Sequence, residues 1–162
     1  MQLQMKPNPW SCCPTAWAMA LEIPVAELIA EVGHDGSEIA FPTQPSPANR
    51  RGFHSQEMTR IAIQHNLVPV PLELFPVLCP NKKPGEGYIP VCIRHDMTNL
   101  AYFDNAIIHG KGILECMSDL GHKHAVAFER GNIFDPEGYP YSYSELKNHG
   151  LHPMKLWRLY HV

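Results

Sequence analysis

Residues Lys111–Asp135, KGILECMSDLGHKHAVAFERGNIFD, decide the fold of this chain. Lys111–Met117 (KGILECM) has the apolar content of a buried strand. His124–Phe128 (HAVAF) and Ile133–Asp135 flank Glu129-Arg130-Gly131-Asn132, and the Gly and Asn suit a tight reversal. The stretch therefore predicts one strand followed by a β-hairpin, the nucleus of an antiparallel sheet.

Downstream, the pattern predicts a short helix at Ser144–Asn148 and a last strand at Met154–Tyr160 (MKLWRLY). Upstream, a loop-rich insertion is expected around 75–110. It carries one short strand at Tyr88–Ile93 (YIPVCI) and a short helix near Asn99–Ile108. Val68–Leu74 (VPVPLEL) alternates apolar residues with Pro and Glu, which predicts an edge strand at best. The first third is helical. Ser11–Leu21 (SCCPTAWAMAL) has little polar surface, so its helix is expected to be buried nearly all round, with Pro14 and Thr15 in the first turn. Pro24 opens a second helix with Val25, Leu28, Ile29 and Val32 on one face and Gly33 as its stop. In RGFHSQEMTRIAIQHNL, Ser55 is the expected N-cap of a third helix, and Met58, Ile61, Ala62 and His65 form its apolar line. Helices first and strands afterwards predict an α+β fold, N-terminal helices packed on a C-terminal antiparallel sheet.

The 162 residues amount to one domain, 1–162, with 44% hydrophobic and 18% charged residues, a globular balance. Net charge is −3, and the only basic runs are the pairs Arg50-Arg51 and Lys82-Lys83. Nucleic acid and anionic membrane surfaces are thus not the favoured partners. Met1–Pro7 lacks the apolar run of a secretion signal, and no apolar stretch reaches membrane-spanning length, so a cytosolic location is expected. Five cysteines, an odd number, argue against a disulfide framework there. Prolines gather in Phe41–Pro47 and Val68–Pro90, which read as irregular surface segments.

Cys12 stands at the start of the first predicted helix, where free N–H groups and the helix dipole favour a thiolate. A thiolate nucleophile needs a base and a third group to orient that base. His124 begins one hairpin strand and Asp135 ends its partner, eleven residues later, so the hairpin brings acid and imidazole together. His122 shares a strand face with His124 and is its rival; His124 is preferred because the apolar run begins there. Cys13 is the rival thiol, with packing as its simpler role, and Cys79, Cys92 and Cys116 are read as structural. A zinc site from Cys12, Cys13, His122 and His124 is the competing chemistry, weakened by adjacent cysteines where Cys-x-x-Cys is expected. His34-Asp35-Gly36 reads as a polar cap at a helix end.

Cys12-Cys13-Pro14-Thr15-Ala16 resembles the Cys-Gly-Pro nucleophile motif of the C39-like branch of papain-fold peptidases. Gly121–Ala127 ending in Asp135-Pro136 resembles that branch's Gly-x-His-x-Val…Asp-Pro element, and Gly52–Leu67 is similar to its middle helix. In overall pattern the chain also resembles small bacteriophage-encoded proteins of this group. The resemblance implies a papain-like fold, Cys12 as nucleophile, His124 as base and then acid, and Asp135 as orienter. It implies Gln4 as oxyanion donor, although Gln4 lies eight residues before Cys12 where six is usual, and Cys13 stands where the branch has Gly. The implied activity is cysteine hydrolysis of a peptide or isopeptide bond in a peptide or protein substrate, without metal or cofactor. Transamidation, deamidation and acyl transfer use the same machinery. The alternative is an inactive fold that binds or inhibits a host factor.

Overall fold

A computed structural model describes residues 1–74 and 100–162 in full and the backbone course of 77–80, 88–91 and 97–99. Helices α1 (Cys12–Leu21), α2 (Val25–Val32) and α3 (Ser55–Gln64) come first, followed by strands β1 (Leu67–Glu73), β2 (Val77–Pro80) and β3 (Tyr88–Val91). Helix α4 (Met97–His109) leads into β4 (Lys111–Ser118), β5 (Lys123–Glu129), β6 (Asn132–Asp135) and β7 (Tyr139–Ser142). A 3-10 helix (Tyr143–His149) and β8 (Leu151–His161) follow. The fold is α+β. Its six-stranded sheet is antiparallel throughout, in the order β1-β8-β4-β5-β6-β7, while β2 and β3 pair with each other.

β1 lies at the sheet edge, where Pro69 and Pro71 leave few ladder bonds unmade. α1 is buried from Pro14 to Leu21, as its composition requires. Its small residues Ala16, Ala18 and Ala20 let it approach the sheet, where Ala125 and Ala127 of β5 are equally small. Trp17 is fully buried between layers: its ring centroid lies 5.9 Å from that of Trp157 on β8, and its indole N–H donates to Ser55 Oγ at 3.2 Å. That bond corrects the expected role of Ser55. It is the first helical residue of α3 and turns its hydroxyl into the core; the helix start is closed instead by Glu57, whose carboxylate accepts from His54 N–H at 2.8 Å. Gly33 ends α2 in the left-handed conformation, with φ of 88°.

The opposite sheet face carries a second core. Phe103, Ala106 and Ile107 of α4 pack on Leu114, Val126, Phe128 and Leu156. The short helix expected near Asn99–Ile108 within the loop-rich insertion is α4, which runs from Met97 to His109. Leu100, Phe103 and Ile107 repeat at three and four residues, which buries one side of a helix of 13 residues. The strand expected at Tyr88–Ile93 is β3 as far as Val91; Cys92 and Ile93 lie outside the described residues, as does the Cys79 side chain. β7 and β2 had no counterpart in the sequence reading, and β8 starts three residues before the expected strand. No single helix among the described residues is long and apolar enough to cross a membrane.

Candidate active site

The Cys12 end of the site is built by a turn. Asn8 Oδ1 accepts from Trp10 N–H at 3.2 Å and from Ser11 Oγ at 2.5 Å, which folds Asn8–Ser11 tightly ahead of α1. Thr15 Oγ1 and Thr15 N–H both donate to the Ser11 carbonyl, at 2.7 and 3.1 Å, and lock the first helical turn. Pro14 fits there because a first-turn residue needs no N–H partner. Cys12 is therefore the first residue of α1, with unpaired first-turn N–H groups beside it.

The other half comes from the hairpin. Phe128 pairs with Ile133 and Ala127 with Phe134, so Asp135 falls across from Val126, two residues along from His124. The carboxylate reaches His124 diagonally: His124 Nε2 donates to Asp135 Oδ1 at 2.8 Å. Nδ1 is left for the cysteine. Cys12 lies close enough to the ring for each group to shift the other's pKa. Burial pushes the Cys12 thiol up, but His124, the Ala125 backbone N–H and the charge of Lys6 together hold it below the ordinary thiol value. Burial likewise disfavours the imidazolium, yet Asp135 and Cys12 outweigh it and raise the His124 pKa to about 10. These two shifts have opposite signs and one shared cause, because each group favours the charged form of the other.

Asp135 is 2% exposed and fully engaged. Besides His124, its Oδ1 accepts from Glu137 N–H at 2.9 Å, and its Oδ2 accepts from Tyr141 Oη at 3.1 Å. Burial pushes this carboxyl up, but His124 and these two donors hold it below the usual carboxylate range. Tyr141 is buried, pushed up by that burial and by the Asp135 charge, so it stays protonated and donates. Its ring stacks on His149 with centroids 3.9 Å apart. Tyr141→Phe is expected to cost roughly 1–3 kcal/mol of stability, because one oxygen of a buried carboxylate loses its donor. It also raises the apparent pKa of Cys12 alkylation, since a less firmly held Asp135 holds the imidazolium less firmly. Urea unfolding and the pH profile of alkylation measure the two effects separately.

Gln4, the expected oxyanion donor, is not at the site. Its Nε2 donates to the Ile23 carbonyl at 2.7 Å and its Oε1 accepts from Val25 N–H at 2.9 Å. Pro24, between them, has no N–H, and the break between α1 and α2 leaves both backbone groups without helical partners. The Gln4 amide supplies both and is spent there. Lys6, six residues before Cys12, is the side chain that approaches the site instead. Its backbone N–H donates to the Pro136 carbonyl at 3.0 Å and its ammonium pairs with Glu137, so the N-terminal segment is tied across the turn after Asp135. Counting six residues back from Cys12 would have found Lys6. Nothing in the sequence marks Tyr141 as a partner of Asp135.

The two rivals fall elsewhere. Cys13 turns to Ser55, with Sγ 3.7 Å from Oγ, and burial pushes its thiol far up. His122 is exposed in the β4–β5 loop, its N–H donating to Ser118 Oγ at 3.1 Å. The proposed zinc ligands are therefore not brought together, and among the described residues no three His, Cys, Asp or Glu side chains are grouped to hold a metal ion. Cys116 is buried and its thiol is also pushed up, in keeping with a structural role. His34, expected as a polar cap, accepts from Gly36 N–H at 3.1 Å, meets Glu57 at 3.1 Å and stacks on Phe53. No protein-family model, no curated protein and no solved structure matches this chain.

Proposed function

We propose that this chain is a papain-like cysteine hydrolase acting on an amide bond of a peptide or protein through Cys12, His124 and Asp135. The observation that carries the reading is the hydrogen bond from His124 to buried Asp135, with Cys12 held low and His124 high by their mutual influence. Neither shift is needed for packing.

In this reading the Cys12 thiolate attacks the carbonyl carbon, and the C=O electron pair moves onto oxygen. First-turn N–H groups at the start of α1 donate to that oxyanion. As the carbonyl re-forms, the C–N bond breaks and His124 Nδ1 delivers its proton to the leaving nitrogen. A water then loses a proton to His124 and adds to the thioester, and collapse of that adduct releases a carboxylic acid and restores the thiolate–imidazolium pair. Asp135, held by Tyr141 and Glu137 N–H, keeps Nε2 engaged so that Nδ1 always faces the sulfur.

The test is covalent trapping. A panel of short peptide vinyl sulfones is expected to add one equivalent to the chain at neutral pH, with the mass located on Cys12. Cys12→Ala removes the adduct and Cys13→Ala does not. Adduct on Cys13, or none across the panel, overturns the hydrolase reading and leaves a fold that works by binding.

A further inference from the structure

At the far end of β5 from His124 lies a second concave surface. Six residues separate His124 from Arg130, about 20 Å of extended chain, so this surface is distinct from the candidate active site. It is an open groove of about 480 Å³. Lys111, Arg130, Arg158, His65, His109 and His161 line it, together with Glu22 and Glu129. The two carboxylates are already engaged: Glu22 accepts from Lys111 Nζ at 2.7 Å, and Glu129 accepts from the Met1 ammonium at 2.8 Å. Arg130 and Arg158 have no carboxylate partner among the described residues; Arg158 rests on the Tyr160 ring at 5.0 Å.

Arg130 is placed at a local cost. Arg130 and Gly131 have φ of 50° and 79°, the two left-handed residues of a hairpin reversal. Asn, Asp or Gly suits the first of these positions, and Arg does not. The turn is nonetheless clamped, with Arg130 N–H donating to Gly110 O at 2.8 Å and Gly131 N–H to Ile107 O at 3.1 Å. Arg158 lies over Gly110, where an added Cβ would come within 2.9 Å of its Nε and 2.3 Å of the Ala106 carbonyl. The groove thus holds one guanidinium at a backbone position that disfavours it, and strain of this kind points to a function.

We propose that this groove is a binding site for a small phosphate-bearing anion, held by the forks of Arg130 and Arg158. Guanidinium forks match phosphate oxygens in pairs, and the volume falls within the range of small-molecule sites, about 300–1,000 Å³. The net charge of −3 disfavours a nucleic-acid partner for the chain as a whole, so a compact ligand is the better occupant.

Isothermal titration calorimetry of the full chain with inorganic pyrophosphate tests this. Saturable one-site binding is expected, weakened roughly tenfold or more by Arg130→Asn and by Arg158→Lys, which keeps the charge and loses the fork. Arg130→Asn relieves the left-handed position, so it holds or raises the melting temperature while binding falls; this separates ligand recognition from folding. Lys147→Ala, an exposed charge outside the groove, leaves binding unchanged, and Cys12 alkylation is unchanged in every variant. Absent pyrophosphate binding overturns the proposal, as does binding that survives both arginine substitutions or falls equally in Lys147→Ala. A single-stranded oligonucleotide that binds more tightly than pyrophosphate through the same arginines also overturns it and assigns the groove to nucleic acid.

Discussion

Replacing His124 with Ala is expected to slow alkylation of Cys12 by iodoacetamide at pH 7 by roughly a hundredfold. An ordinary thiol, with a pKa near 8.5, is only a few per cent thiolate at that pH. With the ring gone, burial acts on the thiol with less opposition and pushes it up rather than down. In the unaltered chain, alkylation rises as the pH passes the lowered Cys12 value, before a free thiol would respond. The stability linkage has a matching window. His124 is raised from 6.5 to about 10, so its contribution is complete below about 6.5 and is lost as the pH climbs through about 10. Cys12 is lowered from 9.0, so its contribution is complete above about 9 and is lost as the pH falls through its folded value. The ion pair is therefore strongest between those two folded values. Site-resolved mass spectrometry across pH checks the profile. An unchanged profile in His124→Ala, or an equal loss in His122→Ala, would remove the imidazole from the account.

The second large effect is structural and reaches the same thiol. Trp17→Ala is expected to cost about 3–5 kcal/mol in urea unfolding. Trp17 is fully buried, touches Trp157 across the layers and donates to Ser55 Oγ, so its loss opens a cavity and removes the indole donor from a buried hydroxyl. α1 is seated by this side chain, five residues after Cys12. The enhanced Cys12 reactivity should therefore disappear at a urea concentration well below that needed for the unaltered chain. Retention of both the midpoint and the reactivity would mean that α1 is held by its alanines alone.

Much of this arrangement was legible in the sequence, because local rules wrote it. The hairpin about Glu129–Asn132, the Gly33 stop, the all-apolar α1 and the Pro-marked edge strand each follow from a few adjacent residues. The Cys12, His124 and Asp135 positions were legible for the same reason, a helix start and the ends of one hairpin. What stayed hidden depends on contacts between distant segments. Gln4 looked like an oxyanion donor until the α1–α2 break claimed both ends of its amide. Tyr141 meets Asp135 only because β7 pairs with β6, and β7 is a short strand, Tyr-Pro-Tyr-Ser, that proline disguises. Ser55 had the chemistry of a cap, and a tryptophan 38 residues away drew its hydroxyl into the core.

The place of β8 has a consequence in time. Leu151–His161 comes after every other strand in the chain and is inserted between β1 and β4, and it brings Trp157 to α1. A ribosome-bound chain that has emerged only through the hairpin holds Cys12, His124 and Asp135 but lacks the middle of the sheet against which α1 packs. The surface on which α1 packs is thus completed only by the closing of long-range pairs, the slow step for a sheet of this connectivity.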